Sequence, residues 1–238
     1  MSWVITGSEK TPVDKLGIQN VSLLLHGNAD GSGNILDSSP SPKTVSKFGN
    51  TASATPPSYP NSNSLFGNAI AFDGTGDYLT SPSNSALHVL GSDFTLELWV
   101  RLAASQNNFG LLSTYSDVGS NTVGYIIRFT PTALRFFAGK GGIDFSLRDA
   151  TYVFATNQWY HIAITSRSNT GRVFIDGIQQ GGTIDFSGTV NSAETLQIGR
   201  THTATDDLNG FIDDLRITKG VARYTANFTP PTAPFPDI

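Results

Sequence analysis

Between residues 94 and 218 the sequence alternates apolar and polar residues with a period of two, in short runs separated by turn-forming clusters. In FTLELWVRL (94–102), Phe94, Leu96, Leu98, Val100 and Leu102 fall on one face, and Thr95, Glu97, Trp99 and Arg101 on the other. Successive strand side chains point to opposite sides, so this pattern fits a strand and conflicts with the 3.6-residue period of a helix. The same reading applies to VGYIIRF (123–129), ALRFFAG (133–139), IDFSLRD (143–149), WYHIAITS (159–166), RVFIDG (172–177), TLQIGR (195–200) and GFIDDLRIT (210–218). RSNTG is a polar turn, and the Asp-Gly pair at 176–177 has two-residue hairpin chemistry. Strands at this spacing predict an all-β chain of two packed antiparallel sheets.

The 238 residues fit one all-β unit of roughly 200–250 residues. Glutamate occurs only at Glu9, Glu97 and Glu194, which excludes long amphipathic helices. No repeat of 20–50 residues is present, so propellers and solenoids are excluded. Residues 51–64, TASATPPSYPNSNS, read as a loop. FTPPTAPFPDI (228–238) cannot join a central strand because proline lacks the donor, and it reads as an extended strap or a link to a partner.

A net charge of −4 with no run of Lys or Arg argues against a nucleic-acid partner, which needs cations to displace phosphate counterions. Cysteine is absent, which excludes disulfides and zinc–thiolate sites without fixing a compartment. No segment approaches the ~18 apolar residues of a membrane helix, and no secretory signal is visible at the start. The expectation is a protein with no membrane partner and no visible address label, with the cytoplasm left open.

QWYHIAITSRSNTGRVFIDGIQQ, with its Trp-Tyr-His strand, polar turn and strand ending in Asp-Gly, resembles the laminin-G-like branch of the concanavalin A-like lectin/glucanase superfamily. Five further phrases agree in order: LLLHGNADG (23–31), LDSSPSP (36–42), FGNAIAFDGTGDYLT (66–80), FTLELWVR (94–101) and GFIDDLRIT (210–218). The closing GVARYTANFTPPTAPFP is similar to versions found in phage virion and environmental bacterial proteins. The resemblance implies a jelly-roll β-sandwich with one concave and one convex sheet. It divides the chain into an N-terminal extension (1–20), the sandwich domain (21–228) and a Pro-rich strap (229–238). The fold hosts lectins, glycosidases, adhesion modules and structural domains alike, so it fixes no ligand.

Asp213 and Asp214 are adjacent in an otherwise apolar strand, so at most one is expected to face the core side. Many laminin-G-like domains carry a structural calcium between an early loop and a late strand. In HGNADGSGNILD (26–37), Asn28, Asp30, Ser32, Asn34 and Asp37 supply the oxygen donors that Ca²⁺ prefers. The resemblance therefore implies that Asp30, Asp37 and Asp213 or Asp214 share one Ca²⁺, and it favours Asp213. The alternative is that NADGSG is an ordinary turn and the aspartates pair with Arg216 or face solvent.

Glycoside hydrolysis needs two carboxyl groups at a set separation. The superfamily's glucanases place theirs in a Glu-x-Asp-x-x-Glu strand, which is missing here. Glu97 reads as an outward or semi-buried strand residue and His161 as a packed, hydrogen-bonded one. Recognition of a glycan is the positive expectation, since sugars are held by aromatic platforms with Asn, Asp and Arg hydrogen bonders. The loops at 104–110, 115–122, 137–144 and 200–210 offer such groups, with Tyr115, Tyr125, Arg128, Arg135, Asn107, Asn121, His202 and Asp206 as candidates. Trp99 and Trp159 are assigned to the core. The expected function is a non-catalytic carbohydrate-recognition or surface-adhesion module, stabilised by calcium and displayed on a phage particle. A virion decoration or assembly protein that recognises protein is the alternative, and a glycoside hydrolase the less favoured one.

Overall fold

The computed structural model describes residues 20–54, 65–105, 107–117, 121–202 and 205–237. The N-terminal extension, apart from Asn20, and most of the 51–64 loop lie outside the described residues. In chain order the strands are β1 (Val21–Leu25), β2 (Ser46–Phe48), β3 (Ala52–Ala54), β4 (Ala69–Asp73) and β5 (Tyr78–Ser81). After a 3-10 turn at Ser85–Leu87 come β6 (Phe94–Leu102), β7 (Gly110–Ser113), β8 (Tyr125–Thr130), β9 (Ala133–Gly139) and β10 (Phe145–Thr151). The remainder are β11 (Trp159–Arg167), β12 (Thr170–Ile175), β13 (Ile178–Gln179), β14 (Ile184–Asp185), β15 (Leu196–Ile198) and β16 (Asn209–Lys219).

These strands form two antiparallel sheets. The larger runs β13-β12-β11-β6-β16-β4-β3, with β14 added on β12 and β1 on β16. The smaller runs β10-β9-β8-β7-β15-β5-β2. Expectation and structure agree on an all-β sandwich of two antiparallel sheets. The alternation in β6 does what its period requires: Phe94, Leu96, Leu98, Val100 and Leu102 all enter the core between the sheets. Ile127 and Phe129 of β8 and Leu134 and Phe136 of β9 meet them from the other side. Each such side chain stabilises the fold by roughly 1.5–3 kcal/mol on leaving water. Phe186 ties the sheets together, with its ring 5.7 Å from Phe94 and 5.3 Å from Phe136. Gly171 makes room for it, since a Cβ there would lie 2.4 Å from the Phe186 ring.

The outer face of the larger sheet is also buried, under the chain's last residues. Thr95 Oγ1 donates to the Val221 carbonyl and accepts from the Arg223 N–H, and Thr165 Oγ1 donates to the Tyr224 carbonyl. Phe228 stacks on Tyr224 at 3.5 Å and donates its N–H to the Gly177 carbonyl. Phe235 then packs with Val21 and Leu24. The Pro-rich segment is therefore a strap on the sandwich itself.

Glu97 lies under this strap, fully buried rather than outward or half-exposed. Its Oε1 accepts from Arg216 Nε at 2.9 Å and lies 2.8 Å from Nη2, while Tyr224 donates to Oε2 at 2.8 Å. Burial alone pushes this carboxyl up. The charge of Arg216, then His161 and Arg223, outweighs that and holds it down to about 2. His161 is fully buried, with Nε2 3.5 Å from Glu97 Oε2. Trp99 is buried on the same face, whereas Trp159 is only half-buried because it sits at the first residue of β11.

Strand β16 departs from simple alternation. Ile212, Leu215 and Ile217 all face the core, and the odd spacing from 212 to 215 demands one extra residue. A β-bulge supplies it: Asp213 pairs with Trp99 and Arg216 with Glu97, so that Asp214 and Leu215 stand against Leu98 alone. Asp214 takes φ +45°, a left-handed conformation that aspartate tolerates better than most residues. Both aspartates are consequently buried.

Candidate functional site

On the outer face of the smaller sheet, strands β8, β9 and β10 turn Ile126 and Arg128, Arg135 and Phe137, and Phe145 and Leu147 away from the core. With Tyr115, Asp117 and His202 from flanking loops, these residues line a cleft of about 350 Å³. Its walls are aromatic. Tyr115 meets Phe137 edge-on at 5.1 Å and tilts against His202 at 4.4 Å, and Phe137 lies 4.8 Å from Phe145. Phe145 and Leu147 remain exposed at the rim.

The polar groups are held in place by charge. Arg128 Nη1 donates to Asp206 Oδ2 at 3.0 Å, an oxygen that also accepts from Thr201 Oγ1. Arg135 grips Asp149 with two bonds of 2.6 Å. The hydrogen bonds of Arg135 hold the Asp149 carboxyl below its usual range, and the same bonds raise Arg135. Burial lowers His202, so its ring is neutral near pH 7, and its Nδ1 is buried without a partner among the described residues. Burial, then the charge of Asp117, raises the Tyr115 hydroxyl, which stays a neutral donor.

Of the residues expected to bind ligand, the structure brings together Tyr115, Arg128, Arg135 and His202, with Asp206 anchoring Arg128. Three others do not belong to the cleft. Tyr125 points inward, 1% exposed, because its neighbours Ile127 and Phe129 share its core-facing parity. Asn121 is spent on the loop, accepting from the Gly142 N–H at 3.0 Å, and Asn107 is exposed and lines no part of the cleft. Sequence reasoning missed Asp117, Ile126, Phe137, Phe145 and Leu147. Four of these lie on the same strand parity as Arg128 or Arg135, or on the facing positions of β10.

The aspartates expected to share calcium are each committed elsewhere. Asp30 closes its own loop, accepting from the N–H groups of Ser32 and Asn34 and from the Asn34 amide. Asp37 accepts from the N–H groups of Leu24, Ser39 and Lys43 and from the Ser39 hydroxyl, which fills the lone pairs of both oxygens. Asp213 accepts from the Asp214 N–H. Asp214 is bound by His26 Nδ1 at 2.5 Å and by the Phe235 N–H at 2.7 Å. Among the described residues, no three His, Asp or Glu side chains are grouped to hold one ion. This donor set does not fit the shared calcium site, and Arg216, the alternative partner of the aspartates, is instead bound to Glu97.

The family model described as the concanavalin A-like lectin/glucanases superfamily, of laminin G type, matches residues 73–223. The chain belongs to that superfamily. No curated protein matches the sequence. Among solved structures, this superfamily member is similar to Domain 4 of AbnA, an extracellular arabinanase of Geobacillus stearothermophilus, solved with arabinotriose. That match has 18% identity, TM-score 0.59, and covers 85% of this chain and 95% of that one. It is also similar to the binding domain of botulinum neurotoxin DC solved with SialylT (16% identity, TM-score 0.61, 86% of this chain and 49% of that one). The same toxin domain solved with rat synaptotagmin II matches at 18% identity and TM-score 0.62, covering 86% of this chain and 49% of that one. The chain spans about half the length of the toxin domains it matches. At these identities the likeness shows the sandwich fold alone.

Proposed function

We propose that this protein is a non-catalytic carbohydrate-recognition module whose ligand seats in the cleft of β8, β9 and β10. The observation that carries this reading is the convergence of Tyr115, Phe137 and Phe145 with two guanidinium groups already fixed by Asp206 and Asp149. Aromatic faces accept the apolar side of a sugar ring, and pre-positioned donors meet its hydroxyl rim without a large ordering cost. The unpartnered Nδ1 of His202 adds a further polar contact. Two similar folds were solved with glycans, which supports the same ligand class here.

Hydrolysis is not supported by the residues in the cleft. A glycosidase keeps one carboxyl protonated as general acid. Among the described residues, the carboxyls raised by burial are Asp176 and Asp213, neither of which lines the cleft. A glycan array probed with the wild-type protein and with Tyr115→Ala and Phe137→Ala tests the reading. Saturable binding that each variant weakens about tenfold supports it. A blank array from folded protein overturns it in favour of the second reading, a protein-docking decoration module. That reading is favoured by the exposed Ile143, Phe145 and Leu147 on one rim and by the synaptotagmin complex of a similar fold. Placement on a phage particle is supported by the closing phrase GVARYTANFTPPTAPFP alone, and co-purification with virions tests it.

A further inference from the structure

The outer face of the smaller sheet does not end at the cleft. Following the strand register, Leu147 faces Phe137, Phe137 faces Ile126, and Ile126 faces Ser113. The same row continues from Ser113 to Gln197, then to Thr80 and Ser46 on the far edge. Ser113 is buried in this row, and the rings of Tyr115 and His202 pair at 4.4 Å among the cleft residues. Beyond them Phe48 stacks on Tyr78 at 4.5 Å with the rings 3° from parallel, and the Arg200 guanidinium lies 3.9 Å over the other side of Tyr78. Phe48 is 41% exposed and leaves a ring face uncovered at the sheet edge. Cleft and ladder therefore form two aromatic stations on one face, joined by hydroxyl and amide groups.

The charges on this face are already matched. Arg128 pairs with Asp206, Arg135 with Asp149, and Arg200 with both oxygens of Asp207. Asp117 adds a carboxylate to the cleft. Among the described residues of this face no guanidinium is left in excess to meet an acidic sugar, and a ligand carboxylate would meet the Asp117 carboxylate, which has no cationic partner among them.

Resting on the carbohydrate reading above, we propose that the ligand is an extended, uncharged polysaccharide chain lying across the strands from β10 to β2. The exposed ring of Phe48, backed by Tyr78, forms a second subsite separate from the cleft. Six inter-strand steps of about 4.8 Å span on the order of 29 Å, the length of several sugar rings in a row. Sugar rings in series suit this row of alternating ring faces and hydrogen bonders, and a single terminal sugar fills only the cleft.

The test is affinity electrophoresis of the full chain through gels holding a neutral polysaccharide (arabinan or mixed-linkage β-glucan) or the acidic polygalacturonate. It is followed by calorimetry with neutral oligosaccharides from disaccharide to hexasaccharide. Retardation by a neutral gel alone is expected, with affinity rising at least tenfold from the shortest to the longest ligand. Phe48→Ala, at an exposed position, is expected to lose about fivefold to tenfold for the hexasaccharide and nothing for the disaccharide. Binding that is equal at all lengths and indifferent to Phe48→Ala overturns the second subsite while leaving the cleft reading intact. Preference for polygalacturonate overturns the uncharged ligand. Absence of binding to every glycan overturns both this proposal and the carbohydrate reading.

Discussion

The backbone N–H of Phe235 donates to Oδ2 of Asp214 at 2.7 Å while His26 Nδ1 holds Oδ1 of the same carboxylate at 2.5 Å. One buried side chain on the β16 bulge thus fastens the strap and the segment after β1 to the same point. Asp237 adds a second carboxylate, 3.0 Å from His26 Nε2. Replacing Asp214 with Ala leaves a buried imidazole and a buried N–H unmatched and puts a Cβ-bearing residue without side-chain compensation at positive φ. The expected cost is on the order of 3–5 kcal/mol in urea unfolding. Asp214→Asn, which keeps an acceptor and tolerates the left-handed backbone, is expected to cost about 1–3 kcal/mol. Limited proteolysis is expected to release the strap first in both variants.

The titrations under the strap set a pH optimum on the acid side of neutral. Burial, then the charge of Asp214, raises Asp213 to about 7, so the folded state holds a proton that the unfolded chain releases at ordinary carboxylate pH. Stability from this group is present at low pH and is lost as pH rises toward about 7. His26 acts in the same direction: burial opposes its charge, but Asp214 and then Asp237 outweigh this and raise it, so its stabilisation fades as pH climbs through its raised pKa. Glu97, held down to about 2, acts oppositely, and its contribution is lost as pH falls below the ordinary glutamate range. Melting temperature is expected to peak near about pH 4–5, and Asp213→Asn is expected to flatten the decline toward neutral pH.

Tyr125 offers a stability test free of the cleft. Its hydroxyl is buried with no partner among the described residues, and burial raises its pKa strongly. Tyr125→Phe removes an unmatched polar atom, so it is expected to be neutral or to stabilise by up to about 1 kcal/mol in chemical denaturation. Glycan binding is expected to be unchanged.

Calcium is expected to leave the melt where it is. A metal that binds only the folded state at a hundredfold over its Kd adds about 2.7 kcal/mol. The aspartates that would supply such a site are occupied by N–H, hydroxyl and imidazole groups. Melts in excess calcium and in chelator are expected to superimpose, and an upward shift in calcium would reveal a donor set other than these four aspartates.

The sandwich was legible because its strands alternate cleanly: β6 and β9 have the bounds that the period-2 pattern gives them. The bulge was legible in part. Ile212 and Leu215 cannot share a strand face three residues apart unless one extra residue intervenes, and the adjacent aspartates mark where it does. The same parity separates Tyr125 from Arg128, so both could not line one cleft, and Phe137 and Leu147 were the consistent choices. What no local pattern carries is the cover on Glu97. The cover on Thr95 and Glu97, on the face of β6 turned away from the core, begins more than a hundred residues later, at Val221 and Tyr224.

The placement of Asp214 also bears on how the chain reaches this state. Its partners lie 188 residues before it and 21 after it. During synthesis β16 is made while Phe235 is still missing, so the bulge carboxylate waits in a chain that can pair its strands but cannot yet close their outer face. Docking of the segment around Phe235 then closes that face, joining it and the segment after β1 at one carboxylate. Long-range closures of this kind are slow. The outer face of the larger sheet is thus expected to be the last part of the molecule to close.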